Sequence, residues 1–355
     1  MTFLAGCAAP GEPSARHPVV PQAISDVAAH QEGASVVLTF TLPKDTPAKV
    51  PLPETPAIEI YRGTRKPGEK GKIETRLIYR IPPELVNTYL HEGKIDFRDT
   101  LDAKTDRNVE LDYAVRTRVQ KRAASAESNV VEVQVLPAPA APTAVRANVT
   151  ETAIEVTWTA PGTDVFGGAM TAPMTYRVYR GELEPGATPP GEMSQAKLHT
   201  PMTLLGPFPT TTFRDEHFTF GSTYVYAVRA VAKESGQEAE SADSVPVSVT
   251  AADVFPPATP AGLVETAVPA TNQEPAHVEL SWSISPETDL AGYWVYRSED
   301  AGTLGQRLNT QPLLSPAFRD MTAVNGKRYF YRVSAMDRSG NESPLTSPVS
   351  AEIPQ

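Results

Sequence analysis

Phe97-Arg98-Asp99, Phe213-Arg214-Asp215 and Phe318-Arg319-Asp320 are three copies of one tripeptide. Each is followed by an alternating apolar stretch that carries a tyrosine: Tyr113-Ala114-Val115-Arg116, Tyr226-Ala227-Val228-Arg229 and Tyr331-Arg332-Val333-Ser334. The offset from Phe to Tyr is 16, 13 and 13 residues, so the copies occupy one structural frame. Self-similarity at a fixed spacing marks a repeat architecture.

The residues before each triplet repeat as well. Val36-Val-Leu-Thr-Phe40, Ile154-Glu-Val-Thr-Trp158 and Val278-Glu-Leu-Ser-Trp282 have the period of two of a strand with one buried face, and each ends on a large aromatic core anchor. Ile58-Glu-Ile-Tyr-Arg62, Tyr176-Arg-Val-Tyr-Arg180 and Tyr293-Trp-Val-Tyr-Arg297 follow as a second strand, with inserts at Thr46–Pro56 and Gly162–Pro173 lengthening the loop before it in the first two copies. Final strands are predicted at Val130–Val135, Val245–Val249 and Pro348–Ile353, and Pro82–His91 can support one or two helical turns. Pro18-Val-Val-Pro21, Pro139-Ala-Ala-Pro142 and Pro257-Ala-Thr-Pro260 stand at the entrances, where a residue without a ladder donor is tolerated. They set expected boundaries at 18–136, 137–250 and 251–355.

About seven short alternating strands per copy, without a disulfide, predict an all-β fold: three tandem immunoglobulin-like antiparallel β-sandwiches. A proline-rich entrance, a strand ending in Trp, Tyr-x-Val-Tyr-Arg and then Gly-x-x-Tyr-x-Tyr-x-Val resemble a fibronectin type III domain of bacterial type. The resemblance covers 18–355. It is strongest in the third copy, at Asp289-Leu-Ala-Gly-Tyr-Trp-Val-Tyr-Arg297 and Ala335-Met-Asp-Arg-Ser-Gly-Asn-Glu-Ser343, and weakest in the first, where Phe40 replaces Trp. It implies a buried corner tyrosine at Tyr224 and Tyr329, with Leu111 in that place in the first copy.

Thirty-five prolines among 355 residues fit short strands and turns, and no apolar run reaches the length of a membrane span. A net charge of −10 argues against a nucleic-acid partner, because phosphate binding needs a basic face. That charge is uneven: residues 18–136 carry 17 basic and 17 acidic side chains, whereas 137–250 and 251–355 each carry 7 against 12.

The single cysteine cannot form an intramolecular disulfide. Leu4-Ala5-Gly6-Cys7 resembles the lipobox of bacterial lipoproteins, which implies cleavage before Cys7 and a diacylglycerol on its thiol. Residues 1–17 then read as a lipobox-like start and flexible tether, and the chain as a cell-envelope protein, lipid-anchored or exported, meeting the membrane through that anchor only.

No catalytic, cofactor or metal constellation is legible. The six histidines lie in six contexts without metal-ligand spacing, and there is no Gly-x-Ser-x-Gly elbow or glycine-rich phosphate loop. Asp337-Arg-Ser-Gly-Asn341-Glu342 lacks the alternating ligands of a calcium loop and reads as a turn with Gly340 and Asn341 at positive φ. In the Phe-Arg-Asp triplet, Phe is expected inward, Arg in solvent and Asp on the backbone N–H groups of the following turn. A sharper binding candidate is the outer face of the third copy, where alternation places Trp294, Tyr296, Phe330 and Arg332 together. The function read from the sequence is a non-catalytic envelope module for adhesion, assembly or spacing, with an envelope or extracellular protein as partner. The alternative is a carbohydrate-binding accessory of a polysaccharide-degrading system, with a glycan as ligand.

Overall fold

The computed structural model describes residues 19–69, 74–120, 123–188, 197–234 and 236–355. Cys7 and the expected tether lie outside the described residues. The described chain is all-β, six antiparallel sheets that face one another in pairs.

In the first pair, one sheet runs in the order Ala28–Glu32, Ser35–Phe40, Lys94–Thr100 and Leu90–His91. The other runs Arg76–Ile81, Ala57–Arg65, Glu110–Gln120 and Ala123–Ala124, with Val131–Gln134 also on Glu110–Gln120. Alternation sends Val36, Leu38, Phe40, Ile95 and Phe97 of one sheet against Ile58, Ile60, Leu111, Tyr113 and Val115 of the other, and this shared layer is the core. A 3-10 helix at Pro83–Tyr89 occupies the predicted helical turns, with Pro in its first turn and Val86 buried.

The second pair sets Thr143–Val149, Ile154–Thr159 and Thr212–Asp215 against a sheet ordered Leu198–Phe208, Met174–Leu183, Thr223–Glu234 and Gln237–Glu240, with Val247–Thr250 beside Thr223–Glu234. Trp158 meets Tyr176 edge-on across this sandwich at 5.3 Å. In the third, Val264–Val268, His277–Ser281 and Ala317–Asp320 face Gln306–Arg307, Leu290–Ser298, Arg328–Asp337 and Val349–Glu352. Trp282 meets Tyr293 edge-on in the same way, at 5.2 Å. Burying one such ring stabilises by roughly 2–3 kcal/mol.

Register is the same in all three copies. The triplet strand pairs with the aromatic-ended strand at Leu38 with Phe97, Val156 with Phe213 and Leu280 with Phe318. In the opposite sheet Arg62 lies across from Tyr113, Arg180 from Tyr226 and Arg297 from Tyr331.

By compactness the chain divides into two units. One comprises the described residues up to Phe218 together with Ser222–Thr250; the other comprises Thr219–Gly221 and Ala251–Gln355. Within the first unit the first and second sandwiches are fastened together. Gly33 N donates to Glu240 O at 3.0 Å, Arg229 reaches toward Glu32 at 3.8 Å, and Arg107 reaches the buried Asp164 at 3.2 Å. Asp164 and Phe166 belong to the Gly162–Pro173 insert, and Phe166 packs on the core of the first sandwich.

Candidate functional site

The repeated triplet builds a buried polar bolt. Asp99 Oδ2 accepts from Tyr113 at 2.7 Å and from Arg62 at 2.9 Å. Asp215 Oδ2 accepts from Tyr226 and Arg180, both at 2.7 Å. Asp320 Oδ2 accepts from Tyr331 at 2.9 Å and from Arg297 at 2.7 Å. Arg and Tyr stand on one sheet and Asp on the other, so each set ties the two layers of a sandwich. The predicted turn bonds are present in the second and third copies, His217 N to Asp215 Oδ1 at 3.1 Å and Thr322 N to Asp320 Oδ1 at 2.9 Å. Burial, reinforced by the neighbouring carboxylate, pushes the hydroxyls of Tyr113, Tyr226 and Tyr331 well above the usual tyrosine range. Burial alone would raise Asp320, but bonds from Thr322, Tyr331 and Arg297 outweigh it and hold the carboxyl below its ordinary range.

Tyr224 and Tyr329, where the resemblance implied the corner tyrosine, are buried beneath Arg180 and Arg297, whose guanidiniums lie 5.3 and 4.6 Å from the ring centroids. The tyrosine common to all three copies lies two residues further on, and its partner is the triplet Asp. The triplet arginines are half-exposed and pair with Glu32, Glu155 and Glu279.

The outer-face residues Trp294 and Tyr296 are 7% and 6% exposed, because the face is covered from within its own sandwich. Arg307 lies 3.9 Å over the Trp294 ring, whose indole N–H points at Met336 Sδ at 3.3 Å. The Tyr296 hydroxyl donates to Glu342 at 2.6 Å and accepts from Arg307 at 3.0 Å. Arg332 donates to the carbonyls of Ala301 and Thr303, and Phe330 is half-buried. The same positions in the other copies are closed by the same logic. Tyr61 lies under Arg116 and Tyr179 under Arg229, each at 5.2 Å, while the buried Glu59 carboxylate takes Arg80 and Arg118. The cap on Trp294 was not legible because Arg307 stands on a two-residue edge strand that its flanking sequence does not announce.

A cleft in the first unit has a volume near 750 Å³. Its aromatic wall is Tyr79, Tyr89 and Phe97. The Tyr79 ring sits 5.2 Å and the Tyr89 ring 6.2 Å from Phe97, and the two hydroxyls meet at 3.3 Å. That bond, with burial, raises the Tyr89 hydroxyl above its ordinary range. Tyr79 is 42% exposed. His91, Asp96, Arg98 and Asp99 supply polar groups from the first sandwich, and Leu198, Met202 and Asp243 close the cleft from the second. The sequence did not point here, because Tyr79 and Phe97 come from strands of different sheets and the Leu198–Phe208 strand from another copy.

In the second unit Asp253, Asp289 and Asp337 converge, with one oxygen of each within 4.8 Å of the others. Oxygen ligands of this kind suit hard cations. Asp337 already accepts the backbone N–H and the side-chain amide of Asn341, each at 2.8 Å, and Asp253 accepts Ser339 Oγ at 2.7 Å. Gly340 has the expected positive φ, +92°, whereas Asn341 does not. Asn341 serves instead through its side chain, which also donates to Asp253 O at 3.2 Å. Among the described residues no helix is long and apolar enough to cross a membrane.

No family model matches the chain. Exoglucanase B of Cellulomonas fimi is 29% identical over 219 residues, 60% of this chain and 16% of that protein. The amylopullulanase of Thermoanaerobacterium saccharolyticum is 38% identical over 69 residues, 19% of this chain and 5% of that protein. The amylopullulanase of Thermoanaerobacter thermohydrosulfuricus is 35% identical over 74 residues, 21% of this chain and 5% of that protein. The chain thus spans far less than two thirds of each of these relatives. Among solved structures, the FN1–FN3 domains of chicken CNTN1 align over 94% of this chain and 99% of that one, at 13% identity and a TM-score of 0.28.

Proposed function

We propose that the chain is a non-catalytic accessory region of three fibronectin type III domains, at 18–136, 137–250 and 251–355, that works outside the cytoplasm within a glycan-degrading system and binds glycan. The observation that carries this reading is the match of 60% of the chain to a small part of an exoglucanase, with shorter matches to small parts of amylopullulanases. The three repeated polar bolts support it in physical terms, since each ties a tyrosine, an arginine and an aspartate into structure rather than leaving them for catalysis. The test is retention of the full chain on insoluble and soluble polysaccharides, run beside an assay for released sugar. Retention without hydrolysis is expected; hydrolysis by the pure chain overturns the non-catalytic reading.

A second reading, an envelope adhesion or spacer protein anchored through Cys7, is favoured by Leu4-Ala5-Gly6-Cys7. Its partner surface is the Trp294, Tyr296, Phe330 and Arg332 face, opened by withdrawal of Arg307. Mass spectrometry of membrane-fraction protein tests the anchor: an unmodified Cys7 in a soluble fraction sinks it.

A further inference from the structure

The cleft bounded by Tyr79, Tyr89 and Phe97 has a composition that selects among ligands. Its volume, near 750 Å³, is in the range of small-ligand clefts. Three carboxylates, Asp96, Asp99 and Asp243, stand against Arg98 and His91, so the lining repels phosphate or polyanionic chains. Asp96, Arg98, Asp99 and Asp243 interrupt its apolar lining, and their charges are poorly matched to an apolar peptide or lipid. A sugar ring has what the cleft complements: an apolar C–H face, and hydroxyls that donate to carboxylates while accepting from a guanidinium.

The aromatic wall is also held in advance of binding. Tyr79 is braced by the Phe97 ring behind it and by the Tyr89 hydroxyl beside it, yet remains exposed. A side chain fixed before binding loses little entropy on binding. Phe97 itself is fixed by its register opposite Leu38 in the core. Asp99 is held by Tyr113 and Arg62, and Asp243 by Arg229, so the wall and two of its acids are pinned to the sandwich framework.

We infer that this cleft is the chain's saccharide site, with a neutral glycan stacked on Tyr79 and its hydroxyls held by Asp96 and Arg98. The inference rests on the glycan-binding reading above and gives it an address. Leu198 and Met202 make the opposite wall, so the site needs both the first and second sandwiches.

The experiment is isothermal titration and affinity gel electrophoresis of the full chain with a panel of soluble neutral glycans: mixed-linkage β-glucan, pullulan, amylose, xylan and mannan. Tyr79→Ala is expected to weaken binding at least tenfold, and Tyr79→Phe, which keeps the ring, less than threefold. Asp96→Ala, at a half-buried position, is expected to weaken it severalfold and serves as the readout if Tyr79→Ala does not fold. Leu314→Ala, at an exposed position in the other unit, is expected to leave binding unchanged. If the native chain binds but folded Tyr79→Ala and Asp96→Ala bind equally well, the cleft is wrong and the glycan-binding function survives elsewhere. If the native chain binds none of the panel, both the function and the site are overturned.

Discussion

The hydroxyl of Tyr331 donates to Asp320 Oδ2 at 2.9 Å from the opposite sheet, and both residues are buried in the third sandwich. The same oxygen takes Arg297, so one carboxylate oxygen satisfies two donors across the layer. Tyr331→Phe removes one bond and leaves the ion pair, and is expected to cost about 1 kcal/mol. Asp320→Ala strands a guanidinium whose side chain is 13% exposed, together with a buried hydroxyl, and is expected to cost about 3–5 kcal/mol. Urea unfolding followed by tryptophan emission checks the ranking. Equal costs for the two variants would show that the arginine needs no partner.

The bolts fix the pH response. Asp320 has a folded pKa below its unfolded value, so its stabilisation is present above the ordinary carboxylate range, near pH 4, and is lost as pH falls through the depressed value. Glu59 behaves alike: burial opposes ionisation, but Arg118 and Arg80 overcome it. Tyr113, Tyr226 and Tyr331 have folded values above the unfolded tyrosine value, so their contribution is complete below about pH 10 and declines above it. Midpoint temperatures should therefore hold level between about pH 5 and 9 and fall on both sides. In native protein, absorbance titration of the phenols should leave these three un-ionised until unfolding begins. A titration that ionises every tyrosine while the fold persists would contradict the buried bolts.

The fold was legible because its determinants are short-range. Alternation, the aromatic at the end of the first strand and the fixed offset from Phe to Tyr all lie within one copy, so reading them needs no knowledge of the partner sheet. Inward and outward parity was also readable, and the burial of Tyr329, Tyr331 and Val333 alternates as predicted with Phe330 and Arg332. What parity does not carry is the identity of whatever lies over an outward face. Trp294 is outward and still buried, because Arg307 and Met336 approach it from other strands. The cleft escaped for the same reason: its wall is assembled from Tyr79, Phe97 and Met202, which only the three-dimensional pairing brings together.

The cover on Trp294 gives an optical prediction. Trp158, Trp282 and Trp294 are 6%, 6% and 7% exposed, so native emission should be blue-shifted and poorly quenched by acrylamide. Arg307→Ala removes the guanidinium stacked on Trp294 and should raise quenching with a small red shift, at a stability cost of about 0.5–1 kcal/mol. Trp294→Phe in that background should return quenching to the native level. Unchanged quenching in Arg307→Ala would mean that Met336 and its neighbours, rather than the arginine, shield the ring.

Gly33 tests whether the first and second sandwiches act as one body. It sits in the turn between Ala28–Glu32 and Ser35–Phe40 with φ of +56°, which L side chains rarely adopt. A Cβ there would also lie 2.8 Å from Ala242 N, a backbone atom of the second sandwich that has no flexible end to move aside. Gly33→Ala therefore combines left-handed strain of about 1–2 kcal/mol with displacement at the contact. The displacement threatens the bond from Gly33 N to Glu240 O and the neighbouring reach of Arg229 toward Glu32. In the native chain the two sandwiches should unfold in one transition, because the Gly33–Glu240 bond and the Arg107–Asp164 pair join them through groups that separation would leave unsatisfied. In Gly33→Ala the melting of the first sandwich should separate from that of the second, and the run at 137–142 should become a site of limited proteolysis. Gly93→Ala is the matched control: it too has positive φ, +84°, but nothing within 4 Å of its Cβ, so it carries backbone strain without the contact. If both variants melt alike in one transition, the backbone strain matters and the contact at Gly33 is not what holds the two sandwiches together.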